Sequence, residues 1–151
     1  MKKLVNAFIF WAIRRAPKRG RITTHAGEFL LSRFAFLWPD EYYADGKCYN
    51  RPPWWRPFNM FVHCWRPKNY GEEFHSHARW TITLCLRGKL LEQTPDGRDK
   101  YLTPGSIVFR SRIAMHAVSI PKEYWGRTWT LFVCGRRKGK KKAFRRVPKA
   151  A

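Results

Sequence analysis

Residues 58–135 contain short runs rich in β-branched and aromatic residues, separated by glycine, proline and charged turn residues. This alternation of short runs and turn signals is typical of an antiparallel β-sandwich or a small barrel. We therefore predict an all-β domain in this range. The predicted strands are Phe58–Trp65, Phe74–Leu86, Lys89–Gln93, Lys100–Leu102, Ile107–Arg110, His116–Ile120 and Thr128–Cys134.

The positive charge of the chain is concentrated at its two ends. Among 151 residues there are 31 Lys and Arg against 10 Asp and Glu, a formal net charge of +21. Residues 1–21 and 136–151 contain many basic residues and no acidic one, so the middle of the chain has an ordinary charge balance. Such basic arms either stay solvated or bind polyanions, and non-specific nucleic acid is the partner they would suit. The length predicts one globular domain between them.

The N-terminal arm, residues 1–21, contains an apolar run from Leu4 to Ile13 that is followed directly by Arg14 and Arg15. The run is too short to span a bilayer and no small-residue cleavage site follows it, so we expect neither a transmembrane segment nor a secretory signal. Its apolar residues recur at helical spacing and predict an amphipathic helix. This helix either packs on the domain, which we favour, or lies on a membrane interface.

Residues 22–57 are rich in aromatic residues and proline, and we predict that they wrap the domain as an irregular segment. The four cysteines of the chain are widely spaced, with no CxxC pair, which excludes a zinc ribbon. Without an export signal we interpret them as reduced thiols of a cytoplasmic protein.

Two histidines, His75 and His77, flank Ser76 in a predicted strand, and a third, His116, begins a later strand. Alternate residues of a strand point to the same face, as two ligands of one metal ion must. An HxH pair alone also arises often by chance. The residues around it raise its significance.

This stretch resembles the two motifs of the cupin superfamily, small β-barrels that hold a metal through HxH, usually a Glu, and a later His. His75-Ser-His77, three residues, Thr81, six residues and Gly88 have the spacing of the first motif, with Thr81 where the family usually has Glu. The second motif is matched by Gly105 and His116. The chain also resembles small cupin-like proteins of bacteria and phages, which have a similar arginine pair and a final strand like Trp129–Val133.

The resemblance implies a cupin-type jelly roll over residues 58–135, with the N-terminal helix and the basic tails outside it. It also implies a metal site made of His75, His77 and His116. Three-His sites in this family are associated with non-haem iron dioxygenases, so Fe(II) is the expected metal, with Zn, Mn, Ni and Cu as alternatives. Cupin barrels often pair, so a homodimer through an apolar strand face is a further expectation.

Three neutral imidazoles leave the full charge of a divalent ion, which suits a small anionic substrate. Arg110 and Arg112 lie near His116 in the sequence and could clamp a carboxylate or phosphate, although solvated arginines are the ordinary case. Thr81 could hydrogen-bond a water on the metal, or simply be a strand residue. His63 is either a core histidine, a group that orients a ligand, or a fourth ligand.

Other catalytic signatures are absent: the sequence has no P-loop, GxGxxG or GxSxG motif. The adjacent Glu72 and Glu73 diverge on an extended strand, so we retain only one of them, or Glu92, as a base beside the metal. The favoured function is a metal-dependent oxygenase. The alternative is a non-enzymatic cupin scaffold whose basic arms, with Trp54 and Trp55, bind nucleic acid or a larger assembly. A metal-free sugar isomerase or epimerase ranks last.

Overall fold

The structure is a computed structural model that describes residues 2–16, 19–23, 29–37, 41–42, 48–49, 57–66, 73–77, 79–136 and 147–148. It contains one helix, α1 (Lys2–Arg15), a short 3-10 helix at Lys122–Tyr124, and strands distributed along the described residues. The strands are β1 (Arg19–Thr23), β2 (Phe29–Ala35), β3 (Glu41–Tyr42), β4 (Cys48–Tyr49), β5 (Phe58–Trp65), β6 (Glu73–Phe74), β7 (Thr81–Arg87), β8 (Leu90–Gln93), β9 (Lys100–Leu102), β10 (Ile107–Arg110), β11 (Ala117–Ser119), β12 (Trp129–Gly135) and β13 (Val147–Pro148).

Two sheets form the body of the protein. The larger has six strands in the order β1-β2-β5-β12-β7-β10, and the smaller has three in the order β11-β8-β9. Neighbouring strands in both sheets are antiparallel. The prediction of an all-β antiparallel sandwich is therefore confirmed.

The two sheets bury one face of each against the other. Along β7 the side chains alternate, so that Thr81, Thr83 and Cys85 are buried while their neighbours are half-buried. This is the period-2 pattern of a strand with one face in a core. Cys85 packs with apolar residues of the smaller sheet and the loop after it, a cluster made of Cys85, Leu90, Leu102, Val118 and Ile120.

The region before residue 58 also contributes to the main sheet. β2 pairs with β5, from Leu31 opposite Trp65 to Ala35 opposite Phe61, and β1 pairs with β2. We predicted that the barrel starts at residue 58, but the main sheet already includes strands that precede this residue. Most of the predicted wrapping segment, including residues 43–47 and 50–56, lies outside the described residues.

Helix α1 packs against the outer face of the main sheet. Its Ile9 and Ala12 are buried, and Ala12 joins a cluster with Val62 and Cys64 of β5. The helical spacing of its apolar residues thus gives the helix an apolar face, and this face packs on the sheet. No helix in the described part of the chain is both long enough and apolar enough to cross a bilayer.

One predicted strand is interrupted. We predicted a continuous strand over Phe74–Leu86, but β6 ends at Phe74 and β7 begins at Thr81. The reason is that the backbone of His75 pairs with His116 instead of continuing alongside the main sheet. β7 then ends in a turn at Gly88, which has a positive φ of 83° that favours glycine.

β10 forms an edge of the main sheet, and its outward side chains Ile107 and Phe109 are exposed. They lie beside the outward face of β7, because Ile107 pairs with Leu84 and Phe109 pairs with Ile82. Together with Ile82 and Leu84 they form an apolar outward face, which is the kind of strand face expected for a homodimer contact. The homodimer itself stays a prediction.

Candidate metal centre

A backbone bridge brings two of the three candidate ligands together. The amide of His75 donates to the carbonyl of His116 at 2.9 Å, and the amide of His116 donates to the carbonyl of His75 at 2.9 Å. Residues that exchange both hydrogen bonds in an antiparallel pair place their side chains on the same face. The fold therefore positions His75 and His116 side by side, although 40 residues separate them in the sequence.

The third histidine completes a compact cluster. The ring centroids lie 4.5 Å apart for His75 and His116, 5.0 Å for His77 and His116, and 5.2 Å for His75 and His77. Each ring offers a nitrogen, and these three atoms lie within 4.8 Å of one another. The sequence prediction that these residues share one site is thus matched by their geometry, which could hold a single metal ion.

The environment keeps two of these imidazoles neutral. Burial is the main cause that lowers the pKa of His77 to about 3, followed by the charge of His75. Burial likewise lowers the pKa of His116 to about 2, with the charge of Arg110 as the next cause. A neutral imidazole has a free lone pair, which is the form that coordinates metal ions.

An orphaned polar atom supports the same interpretation. Nδ1 of His116 is buried and has no hydrogen-bond partner. A buried polar atom without a partner costs about 1–3 kcal/mol, and a ligand that the polypeptide lacks is one way to satisfy it. The donor set, its neutral charge state and this atom all fit a divalent transition metal.

Arg110 crosses the interior between the two sheets. Its Nε donates to Oε1 of Glu92 in a buried ion pair, and its Nη1 donates to Oγ1 of Thr83 at 2.8 Å. The structure therefore places Arg110 near His116, as the sequence suggested, but with its guanidinium hydrogen-bonded to protein groups. Glu92, one of the carboxylates we retained as a base, is the partner in that ion pair.

The other two residues to which we assigned roles lie in contrasting places. Thr81 is buried at the start of β7, opposite Arg110 in the register, and its Oγ1 has no hydrogen-bond partner. Arg112 is exposed in the loop between β10 and His116. Thr81 is thus available inside the barrel, whereas Arg112 lies at its surface.

His63 is a buried core histidine on β5. Its ring stacks on Phe132 with centroids 5.0 Å apart, and neither ring nitrogen has a hydrogen-bond partner. Burial is the main cause that holds its pKa well below the usual value, and the charge of Arg33 is the next. His63 lies outside the three-histidine cluster.

Arg33 is the residue near the site that sequence reasoning missed. It lies on β2 opposite His63, and its guanidinium lies over the Phe61 ring at 3.8 Å from the centroid. Its charge also contributes to the lowered pKa of His77. The residue precedes the predicted barrel by 25 positions, and only the pairing of β2 with β5 reveals its place.

Comparison with known proteins identifies the architecture. No protein-family model matches the sequence, and no curated protein shows significant similarity to it. Among solved structures, that of Fe(II) HppE superimposes with a TM-score of 0.54 and 15% identity, over 78% of this chain and 56% of that one. DMSP lyase DddQ from Ruegeria pomeroyi DSS-3 gives 0.52 and 17%, over 83% and 55%. Ectoine synthase from P. lautus gives 0.51 and 13%, over 82% and 74%.

The DMSP lyases and ectoine synthase are cupin-superfamily proteins. The chain has the cupin fold. It spans little more than half the length of the HppE and DddQ chains. Because its identity to them is only 15% and 17%, the likeness shows the fold alone. Within this fold the three-histidine cluster lies where the end of β6 meets the start of β11.

The glycines of the two cupin motifs have structural roles. Gly88 and Gly105 both adopt positive φ, in the turns between β7 and β8 and between β9 and β10. A Cβ at Gly88 would also lie 2.5 Å from Oγ1 of Thr128, which is closer than atoms can approach. The motif spacing therefore corresponds to turns that this cupin fold requires.

Several predicted residues lie outside the described part of the chain. These include Glu72, Trp54, Trp55 and residues 137–146 of the basic tail, and the side chain of Glu73 is not described either. Cys64, Cys85 and Cys134 are buried. Nucleic-acid binding through the tails and the cytoplasmic location stay predictions.

Proposed function

We propose that this protein is a metal-dependent enzyme of the cupin fold that binds one divalent ion through His75, His77 and His116. The observation that carries the proposal is that His75, His77 and His116 each present a ligand atom within 4.8 Å of the other two. His116 belongs to the smaller-sheet side of the barrel and His77 to the chain that leads into the main sheet.

We further propose that the metal is Fe(II) and that the reaction is an oxygenation. The bound ion would supply the reactivity with oxygen. One solved structure that shares the fold is that of an Fe(II) protein, which supports iron as the first metal to test. Imidazole ligands also accept Zn, Mn, Ni and Cu. The affinity of the site for each of these metals should therefore be compared.

The charges around the site favour a small anionic substrate. Among the described residues the metal-ligand cluster includes no carboxylate, so three neutral ligands would leave the charge of a divalent ion uncompensated. Glu92 compensates the charge of Arg110, so the charge of the bound ion would dominate the site. The net positive potential would attract a carboxylate, a phosphate or a thiolate.

The residues around the histidines would divide the remaining tasks. Arg110 is held by Glu92 and Thr83 and acts as a positioning residue that sets the potential at His116. Thr81 presents a buried hydroxyl without a partner, which can donate a hydrogen bond to a bound substrate. Arg112, exposed between β10 and His116, would contact the substrate's anionic group at the surface.

Bound metal is the decisive measurement. Elemental analysis of protein purified without an affinity tag, before and after reconstitution with each metal, should give one equivalent of metal per chain. The triple variant H75A/H77A/H116A should lose it. Ser76→Ala is the matched control, because it alters the residue between two ligands and adds no ligand. Wild-type protein without metal after reconstitution, or a triple variant that retains it, would refute the site.

Oxygen uptake tests the proposed reaction separately. Iron-loaded protein is mixed with a panel of small carboxylates, thiol acids and phosphate esters, and substrate-dependent oxygen consumption is recorded with an electrode. We expect uptake with at least one member and none with the triple variant. Absence of uptake across the panel by fully iron-loaded protein would refute the oxygenase reaction and leave the metal site intact.

A binding module without catalysis is the competing proposal, and it depends on the basic arms. It predicts binding of an oligonucleotide that weakens steeply with salt and is unchanged in H75A/H77A/H116A. The charge of the two termini supports it. Removal of residues 137–151 from the chain should weaken that binding, since it deletes most of the basic residues of one of the two arms.

A further inference from the structure

Helix α1 presents two different faces. One face packs on the barrel through buried Ile9 and Ala12. Away from that face, Leu4 is 76% exposed and Phe10 is 60% exposed. Trp11 is 46% exposed, and its ring also contacts that of Phe36, with centroids 5.7 Å apart. A helix that is used only to cover a sheet would place polar residues on that outer side.

The exposed apolar residues form a stripe along the helix. Successive residues turn by about 100°, so Leu4, Ala7 and Trp11 lie within about 60° of one another, with Phe10 beside Ala7. All four are exposed. We call these four residues the outer stripe of α1.

Cations surround the outer stripe. The helix contains four basic residues and no acidic one: Lys2 and Lys3 at its start, Arg14 and Arg15 in its last turn. The guanidinium of Arg14 lies over the Phe10 ring at 5.0 Å from its centroid, and that of Arg15 over the Trp11 ring at 5.5 Å. The exposed apolar side chains thus lie between positive charges at the two ends of the helix.

We propose that the outer stripe of α1 and the basic residues around it bind the surface of an anionic lipid bilayer. An interfacial helix buries an apolar face at the boundary of headgroups and acyl chains, while its basic residues contact anionic headgroups. The 14-residue helix is about 21 Å long, too short to cross a bilayer, and it packs on the barrel through Ile9 and Ala12, so its exposed side would lie along a bilayer.

A bilayer fits this surface better than a nucleic acid does. The stripe includes aliphatic Leu4 and Ala7, which cannot stack on bases, and each aromatic ring already has a guanidinium over it. Burial of exposed apolar area in the interface would stabilise the bound state in a way that phosphate contacts alone would not. The inference is independent of the metal centre, which lies inside the barrel.

Vesicle co-sedimentation tests the proposal with the full-length chain. Vesicles of phosphatidylcholine are compared with vesicles that contain one third phosphatidylserine, at a fixed salt concentration. The variant L4S/F10S keeps every charge and alters two exposed side chains. The control I107S/F109S makes a similar change on the exposed edge strand β10. Circular dichroism verifies that both variants fold.

We expect wild-type protein and the control to bind phosphatidylserine vesicles, and L4S/F10S to bind roughly tenfold more weakly. Equal binding by all three proteins would show that the overall positive charge alone is responsible, and would overturn the proposal. No binding of wild-type protein would overturn it as well. Sedimentation velocity without lipid provides a further test, because a wild-type dimer that L4S/F10S dissociates would assign the stripe to a second copy of the chain.

Discussion

The buried ion pair between Arg110 and Glu92 gives a prediction whose size follows from the structure. Both side chains are almost inaccessible, at 5% and 7% exposure, and solvent therefore screens their interaction little. Glu92→Gln keeps the shape of the side chain and removes its charge, which leaves the guanidinium of Arg110 buried without a counter-ion. Removal of one partner from such a pair costs about 3–5 kcal/mol of unfolding free energy.

The double variant E92M/R110M should behave differently. Apolar side chains in place of both charges remove the cost of desolvating them, which makes such replacements neutral or stabilising by about 1–4 kcal/mol. The hydroxyl of Thr83 loses the hydrogen bond from Arg110, at a cost of about 1 kcal/mol. We therefore expect the double variant to be close to wild-type stability.

Urea denaturation followed by tryptophan fluorescence compares the stability of four proteins: wild type, E92Q, R110M and E92M/R110M. EDTA in each sample excludes stabilisation by bound metal. The decrease in the free energy of unfolding caused by E92Q should be the same in 1 M NaCl, because salt screens a buried ion pair little. A loss below about 1 kcal/mol in E92Q would show that the pair is solvated like a surface pair. A double variant as unstable as the single ones would refute the argument about desolvation.

Three further predictions concern single residues. His63→Leu should raise the free energy of unfolding by about 1 kcal/mol, because both ring nitrogens are buried without a partner; a lower urea midpoint would contradict this. Burial raises the pKa of the Cys85 thiol to about 11, so native protein at pH 7.5 should leave Cys85 unmodified by iodoacetamide, and mass spectrometry should find it alkylated only after denaturation. Gly88→Ala should be more destabilising than Gly97→Ala, since both sites have positive φ but only Gly88 lies against Thr128. The excess should be at least about 1 kcal/mol, and equal urea midpoints would refute the close contact.

Local pattern was enough to find most strands of the barrel. β5, β9 and β10 begin and end where the β-branched and aromatic runs do, because residues of these types suit a pleated, half-buried surface. The break between β6 and β7 was not visible in this way. The residues from Phe74 to Thr81 mostly alternate between apolar and polar types, as in a strand. Only the structure shows that the backbone of His75 pairs with that of His116 and so interrupts the predicted strand.

The candidate site shows the same limit. His75, His77 and His116 could be found because their spacing resembles that of a known motif. Arg33 could not, since its proximity to His63 depends on the pairing of β2 with β5. Likewise the sequence places Arg110 near His116 but does not show that Glu92, from the opposite sheet, neutralises it.

The interior charges suggest that the metal and an anion bind together. The imidazoles of His77 and His116 are neutral well below pH 7, so a divalent ion can enter without displacing protons from them. The charges that keep them neutral, however, include Arg110 and Arg33, which repel a cation. A divalent ion held by neutral imidazoles also keeps its own charge, and an anion beside the ion would compensate it. Linkage then requires that each ligand raise the affinity for the other by the same factor. The metal affinity of this site should therefore rise when its anionic substrate is present, and the substrate can be sought by that effect.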